Sequence, residues 1–183
     1  TFLMMGFFLR EVFALAGRNI ESYLQLVKLD PMYKLSFANG SILATTDHDE
    51  MKARTERMFP GNARGLDAFM KKELVKYDAM YPCLRKSYSS PATMLHRDLL
   101  AALPHLSLSE SIYHHLGHYF KDPRCRLSFT FQAKYLGMSP WQCPAAFTII
   151  PYIERAYGIE HVIGGLCRIS EAMARIVEEH GGI

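Results

Sequence analysis

The stretch LVKLDPMYKLSFANGSILATTDHDEMKARTERMFPG, residues 26 to 61, changes its hydrophobic period half-way along, and that change decides the fold. Its first part holds three short β-prone runs, LVKLD, YKLSFA and ILATT. Asn39-Gly40 between the last two is a strong hairpin signal, because both residues tolerate the positive φ of a tight turn. From Asp47 onward the period becomes helical. Asp47 and Glu50 form a capping-box pattern, Met51, Thr55, Met58 and Phe59 share a face, and Pro60-Gly61 closes the helix.

Upstream, residues 7 to 16 read as a short helix with Phe8, Val12 and Leu15 on one face and Gly17 as its stop. Downstream, Leu66, Phe69, Met70, Leu74, Tyr77 and Tyr81 mark a long amphipathic helix, bent or ended near Pro82. Ser90-Pro91 reads as the next start, followed by Leu95, Leu99 and Leu103. Ser107 and Glu110 form a second capping box, serving the stripe Leu108, Ile112, Leu116, Tyr119 and Phe120. Helices are expected at 122 to 131 and at 145 to 156, the second kinked by Pro151. HVI is a short strand. Gly164-Gly165 then turn the chain into a last helix that buries Leu166, Ile169, Met173, Ile176 and Val177. The fold class is α+β: mostly helical with a small antiparallel sheet. A lone hairpin is marginal in water, so its strands need partners. The sequence opens abruptly at TFLMMGFFL and closes at HGGI, and it is expected to be a piece of a larger protein.

The chain has 183 residues, 49% of them hydrophobic and 21% charged, which describes a folded protein and not a disordered one. A formal charge of +3 with no Lys/Arg stripe argues against nucleic acid as a partner. The longest charge-free apolar runs fall short of the roughly 20 residues that a membrane span needs. Ten Met, 11 Phe and 10 Tyr suit a surface that accepts bulky apolar ligands, although core filling explains them as well. Cys83, Cys125, Cys143 and Cys167 show no C-x-x-C spacing, and reduced thiols are the simplest account.

Few polar motifs carry chemistry. HHLGH, residues 114 to 118, has the frame of the zinc-protease motif, with His114 and His118 at i, i+4. The general-base position holds His115 and not Glu, so water activation by that motif fails, and solvated or partner-facing histidines are favoured over a metal site. No G-x-S-x-G elbow and no G-x-G-x-x-G fingerprint occurs. Gly164-Gly165 ahead of a helix lets a backbone approach a ligand, but glycine pairs are more often plain turns.

The order of segments adds what composition and spacing do not. TFLMM, then REVFALAGRNIESYLQLVKLDPMYKLSFANG, then RTERMFPGNARGLDAFM, then residues 126 to 182 with the patterns F-Q-x-x-Y-x-G-x-x-P and V-x-G-G-L, together resemble the bacterial-type phytoene desaturases. These are FAD-dependent carotenoid desaturases of the amine-oxidase-like flavoprotein superfamily. The resemblance is strongest over 127 to 182. It is weakest over 83 to 120, which resembles the lid or membrane-facing helices of such proteins.

The resemblance implies that residues 1 to 183 are the substrate-binding domain of a two-domain flavoprotein, with the FAD-binding Rossmann-like domain outside this chain. Thr1 and Phe2 match a segment running close to the flavin, and Gly164 and Gly165 match the turn that approaches isoalloxazine and substrate. The implied substrate is a polyene hydrocarbon such as phytoene. Its lining candidates are Phe129, Phe131, Gln132, Tyr135, Met138, Trp141, Phe147 and Tyr152. The implied reaction is desaturation with hydride transfer to FAD. No catalytic residue is assigned, Lys134 included. A cytoplasmic protein in peripheral contact with a membrane is expected, since the substrate lives in a bilayer. Two readings compete with this one: a related carotenoid or retinoid oxidase, isomerase or saturase on the same scaffold, and a non-catalytic module binding an apolar ligand or a membrane. The fragment alone is expected to be inactive and poorly soluble.

Overall fold

The computed structural model describes residues 2–90, 93 and 95–182. The architecture is α+β. In chain order the elements are β1 (Leu3–Met4), α1 (Gly6–Leu15), β2 (Leu26–Lys28), β3 (Tyr33–Phe37), β4 (Gly40–Ala44), α2 (His48–Met58), α3 (Ala63–Leu84), α4 (Arg97–Ala102), α5 (Ile112–Leu116), α6 (Pro123–Leu127), α7 (Ile149–Tyr157), β5 (Ile159–Val162) and α8 (Cys167–Glu179). Short 3-10 turns link several of them. The chain forms two compact units. One comprises Thr1–Lys34, Leu43–Thr46 and Ile153–Ile183, and the other Leu35–Ile42 and Asp47–Tyr152.

The first unit is built on a three-stranded antiparallel sheet in the order β1-β5-β2. Leu3 pairs with Glu160, and Leu26 with Val162. The partner strand for β2 is therefore β5, more than 130 positions away in the sequence. Helices α1 and α8 supply its core, in which Phe13, Ile20, Leu24, Val162, Ala172 and Ile176 are buried and Leu9, Ala16, Leu166 and Ile169 pack around them. Two expectations are corrected here. On α1 the inward stripe is Leu9, Phe13 and Ala16, while Val12 and Leu15 stand 49% and 83% exposed. On α8 the inward stripe is Ile169, Ala172 and Ile176, and Met173 and Val177 face out. Both helices carry two apolar stripes, and packing uses one.

The hairpin β3-β4 forms at the expected turn. In the second unit, the Asp47 carboxylate accepts the Glu50 backbone N–H at 2.9 Å and caps α2 as its sequence requires. Met51, Thr55 and Phe59 are buried. The Asn62 side chain then stitches the α2–α3 corner. Its amide donates to the carbonyls of Phe59 and Pro60, and its Oδ1 accepts the N–H groups of Lys121 and Asp122. Gly65 lies so close to the chain at Tyr119 that a Cβ there would sit 2.1 Å from that residue's carbonyl oxygen. The aromatic core is Phe69, Phe120 and Phe129, with Phe120 and Phe129 stacked at 4.5 Å.

Other boundaries moved. α3 runs on through Pro82 to Leu84. α4 starts at Arg97, capped by His96, and not at Ser90-Pro91, of which Pro91 lies outside the described residues. α5 is capped by the Ser111 hydroxyl, because Ser107 sits at φ 50°, a conformation that an N-cap does not adopt. The helix expected at 122 to 131 is α6, capped by Asp122, with a 3-10 turn from Phe131 to Leu136 after it. Pro151 lies in the first turn of α7, where a missing N–H costs little, so it starts the helix and does not kink it.

Candidate functional site

Three features of the structure carry chemistry. The first is the turn between β5 and α8. Gly164 and Gly165 have φ of 87° and 95°, a left-handed pair that only glycine adopts cheaply. A Cβ on Gly165 would meet nothing nearer than Cys167 Sγ at 3.7 Å, and one on Gly164 would meet only the flexible Arg168 side chain. The turn is therefore shaped by its backbone and not by internal crowding, and its outer face is open ahead of the 13-residue α8. That fits the close approach of a flat ring system to peptide backbone. Phe2 packs with the cluster of Met32, Ala44 and Ile159, beside β1. Thr1 lies outside the described residues.

The second feature is the aromatic stretch 129 to 152. Its eight candidate residues divide by burial. Phe129, Gln132 and Tyr152 are buried: Phe129 in the aromatic core, Tyr152 against Tyr77 at 5.6 Å. Phe131 and Phe147 are half-buried. Tyr135, Met138 and Trp141 are exposed. Phe131 and Tyr135 meet edge to face at 6.2 Å, with the Lys134 ammonium 5.0 Å from the Phe131 ring. Trp141 lies against Tyr113 at 5.2 Å, and the Arg126 guanidinium is 5.6 Å from the Tyr113 ring. The outward residues thus form two aromatic contacts, Phe131 with Tyr135 edged by Lys134 and Trp141 with Tyr113 edged by Arg126.

The third feature is a buried polar knot. Glu73 and Lys76 on α3 have side chains 0% and 1% exposed. Lys76 Nζ donates to Glu73 Oε1 at 2.9 Å, to the Ala145 carbonyl at 3.0 Å and to Thr148 Oγ1 at 2.7 Å, which uses all three ammonium protons. Burial pushes the Lys76 ammonium below its ordinary range, against the pull of Glu73. Next to Glu73 lies His115, its Nε2 3.4 Å from Glu73 Oε1. His115 Nδ1 meets Glu110 Oε1 at 2.6 Å, and His118 Nε2 meets Glu110 Oε2 at 3.0 Å. Burial raises the Glu110 carboxyl, but hydrogen bonds from the two imidazoles outweigh it and hold the group below its usual range. Burial, with Glu73 and Glu110 nearby, pushes the Tyr119 hydroxyl up to about 12. The knot is set by backbone: Ala145 N–H donates to the Glu110 carbonyl, and Ile112 N–H to that of Cys143.

No family model matches the chain. Among curated proteins, a 4,4'-diapophytoene desaturase (4,4'-diapolycopene-forming) of Methylomonas sp is 46% identical over 182 residues, all of this chain and 36% of the relative. A zeta-carotene-forming phytoene desaturase of Myxococcus xanthus is 31% identical over 99% of this chain and 35% of the relative. A 4,4'-diapolycopen-4-al dehydrogenase of Metabacillus indicus is 30% identical over 90% of this chain. The chain is a homologue of carotenoid desaturases. It spans about a third of the length of the curated relatives it matches.

For this carotenoid-desaturase homologue, the motif reading names the aromatic stretch and the glycine turn but not the polar knot. His114, which the sequence reading weighs with His118 as a metal pair and sets below solvated histidines, is exposed, and the residue that joins His118 is His115, through Glu110. The sequence reading names neither Glu73 nor Lys76. Their phase on α3, in step with Leu66, Phe69 and Tyr77, was the available signal. Among the described residues no helix is long and apolar enough to cross a membrane.

Proposed function

We propose that this chain is the substrate-recognition part of a flavin-dependent oxidoreductase that desaturates a carotenoid precursor such as phytoene, with hydride transfer to FAD. The observation that carries the reading is the 46% identity over the whole chain to a 4,4'-diapophytoene desaturase. A polyene offers almost no hydrogen-bonding groups, so recognition rests on shape and apolar area, worth roughly 25 cal/mol per Å² buried. Phe131, Tyr135, Met138, Trp141 and Phe147 present such area to a polyene, and Phe129, Gln132 and Tyr152 complete the lining set from buried positions. Phe2, Gly164 and Gly165 are the residues that approach the flavin, with the open turn backbone giving room for ring contact. When bound, FAD supplies the hydride acceptor. The FAD-binding domain belongs to the rest of the same protein. Leu95, Leu100, Leu103 and Leu108, 44% exposed or more, form the surface that touches the lipid holding the substrate. The protein then works on the cytoplasmic side as a peripheral membrane enzyme.

The test is a chimera. The 182 aligned residues of the Methylomonas relative are replaced by this chain, and the product is expressed in bacteria making phytoene or diapophytoene. Conjugated, coloured products support the proposal. A folded chimera with normal flavin absorbance that leaves both substrates unchanged overturns it. The relative named as a 4,4'-diapolycopen-4-al dehydrogenase supports a second reading, oxidation of an already conjugated carotenoid end group. Feeding the chimera diapolycopene-type substrates and scoring aldehyde or acid products separates the two.

A further inference from the structure

We infer that Glu110, His115 and His118 form a binding site for a zinc-class divalent cation, with Glu73 as the buried carboxylate that orients its histidine ligand. This site is independent of the flavin reading.

One donor atom from each of the three residues lies within 4.8 Å of the other two. Tetrahedral zinc, with bonds of about 2.0–2.1 Å, sets neighbouring ligand atoms about 3.3 Å apart. The Glu110 oxygens already stand 2.6 Å and 3.0 Å from His115 Nδ1 and His118 Nε2. One ion replacing the two bridging protons needs only a small opening of the carboxylate. Two imidazoles and one carboxylate are a ligand set that suits zinc and its neighbours and not calcium or magnesium. Three protein ligands leave a fourth position, and the His118 side chain, 66% exposed, puts that position toward solvent and gives the ion an entry path.

The second observation lies on the far side of His115. Its Nε2 has no hydrogen-bond partner, and neither does Glu73 Oε2, although both atoms are fully buried. A neutral His115 that donates Nδ1–H to Glu110 turns a bare Nε2 lone pair toward the Glu73 carboxylate, two acceptors facing each other at 3.4 Å. Leaving such groups unsatisfied is expensive. A cation on Nδ1 forces the proton onto Nε2, and a small turn of the ring would then bring it from the present 3.4 Å contact into a hydrogen bond with the Glu73 carboxylate. This is the carboxylate–histidine–metal arrangement that fixes tautomer and ring orientation in metal sites. Glu73 is held for that task by Lys76, which is itself tied to Ala145 and Thr148. The ion would pin the segment from Glu110 to His118 against α3.

The test uses the tag-free chain with Cys167→Ser, stripped by chelator, with Co²⁺ and Zn²⁺ alone as probes. The inference expects one equivalent of Co²⁺ to give visible d–d absorption of a four- or five-coordinate site, Zn²⁺ to displace it, and Zn²⁺ to raise Tm. His118→Ala, exposed and therefore safe for folding, should weaken binding at least tenfold. Glu73→Gln should weaken it by about 10- to 100-fold without removing a ligand. His114→Ala, on α5 beside His115, should leave it unchanged. Absence of a stoichiometric Co²⁺ spectrum overturns the site. So does binding that survives His118→Ala, or that falls only with His114→Ala.

Discussion

Two regions, the outer faces of α1 and α8 with the turn before α8, and the polar knot beside α3, depart from the usual rule of burial in opposite directions. In the first, apolar side chains stand outside: Leu15 on α1, Ile163 before the glycine turn, Val177 on α8. In the second, ionisable side chains stand inside: Glu73, Lys76 and His115. The contrast teaches that polarity predicts burial only when a residue's partners are known. An apolar stripe faces out when its cover lies elsewhere, and a charge faces in when hydrogen bonds replace its water.

The largest effect that tests this contrast is at Lys76. Lys76→Met leaves the Glu73 carboxylate sealed without its cation, which costs about 3–5 kcal/mol. The double variant Glu73→Leu/Lys76→Met removes both charges and should recover most of that loss, since apolar replacement of a buried pair is often neutral. Urea unfolding of the two variants decides it. Equal losses in both would mean that the pair acts through shape and not charge, and the description of the knot as a region held by buried charge would fail.

A smaller effect is expected where the second unit is tightest. Gly65→Ala drives a methyl against the Tyr119 carbonyl, a backbone atom that cannot swing away, so α3 must shift. Overpacking of this kind costs about 1–3 kcal/mol. A Tm equal to that of the parent chain would show that the approach of α3 to Tyr119 is looser than described.

These two sites also show what the sequence could and could not say. Local signals were legible: Asn39-Gly40 made its hairpin, Asp47 capped α2, and the glycine pair turned β5 into α8. Each such element is decided within a few residues. The direction a helix faces is decided elsewhere. Leu9-Phe13-Ala16 and Phe8-Val12-Leu15 have the same i, i+4, i+7 spacing on α1, and only packing chooses between them. The polar knot was hidden for the same reason, because Lys76 finds its partners at Ala145 and Thr148, some 70 positions away. Of the candidate site, the sequence named the aromatic residues, but not that Phe129 and Tyr152 are buried while Trp141 is exposed.

A third prediction concerns an exposed carboxylate that does local work. Glu56 accepts the backbone N–H groups of Gly61 and Ala63 and supplies the N-terminal cap that Asn62 leaves unmade on α3. Those hydrogen bonds hold its pKa below the ordinary value. For a carboxylate depressed in the folded state, the stabilisation is complete above the unfolded value, about 4.3, and is lost as pH falls through the folded one. The Tm difference between parent and Glu56→Ala should thus be constant above about pH 5 and close as the carboxylate protonates. A gap that persists unchanged at low pH would assign the effect to the lost side-chain stem.

The smallest effect on stability should come from the outward stripe of the first unit. Leu15→Lys changes a residue 83% exposed at the last turn of α1. The expected change is within about 0.5 kcal/mol, with a cation placed favourably at the helix C-terminus. Self-association, followed by light scattering, should fall, because an exposed apolar patch loses a member. The same substitution in a longer protein carrying this segment makes the sharper comparison. If Leu15 is covered there by the flavin domain, Leu15→Lys will cost stability or flavin retention that it does not cost in the chain alone. If both behave alike, the outward stripe of α1 is a true surface, and the cover for the first unit must be sought at Ile163 and Val177 instead.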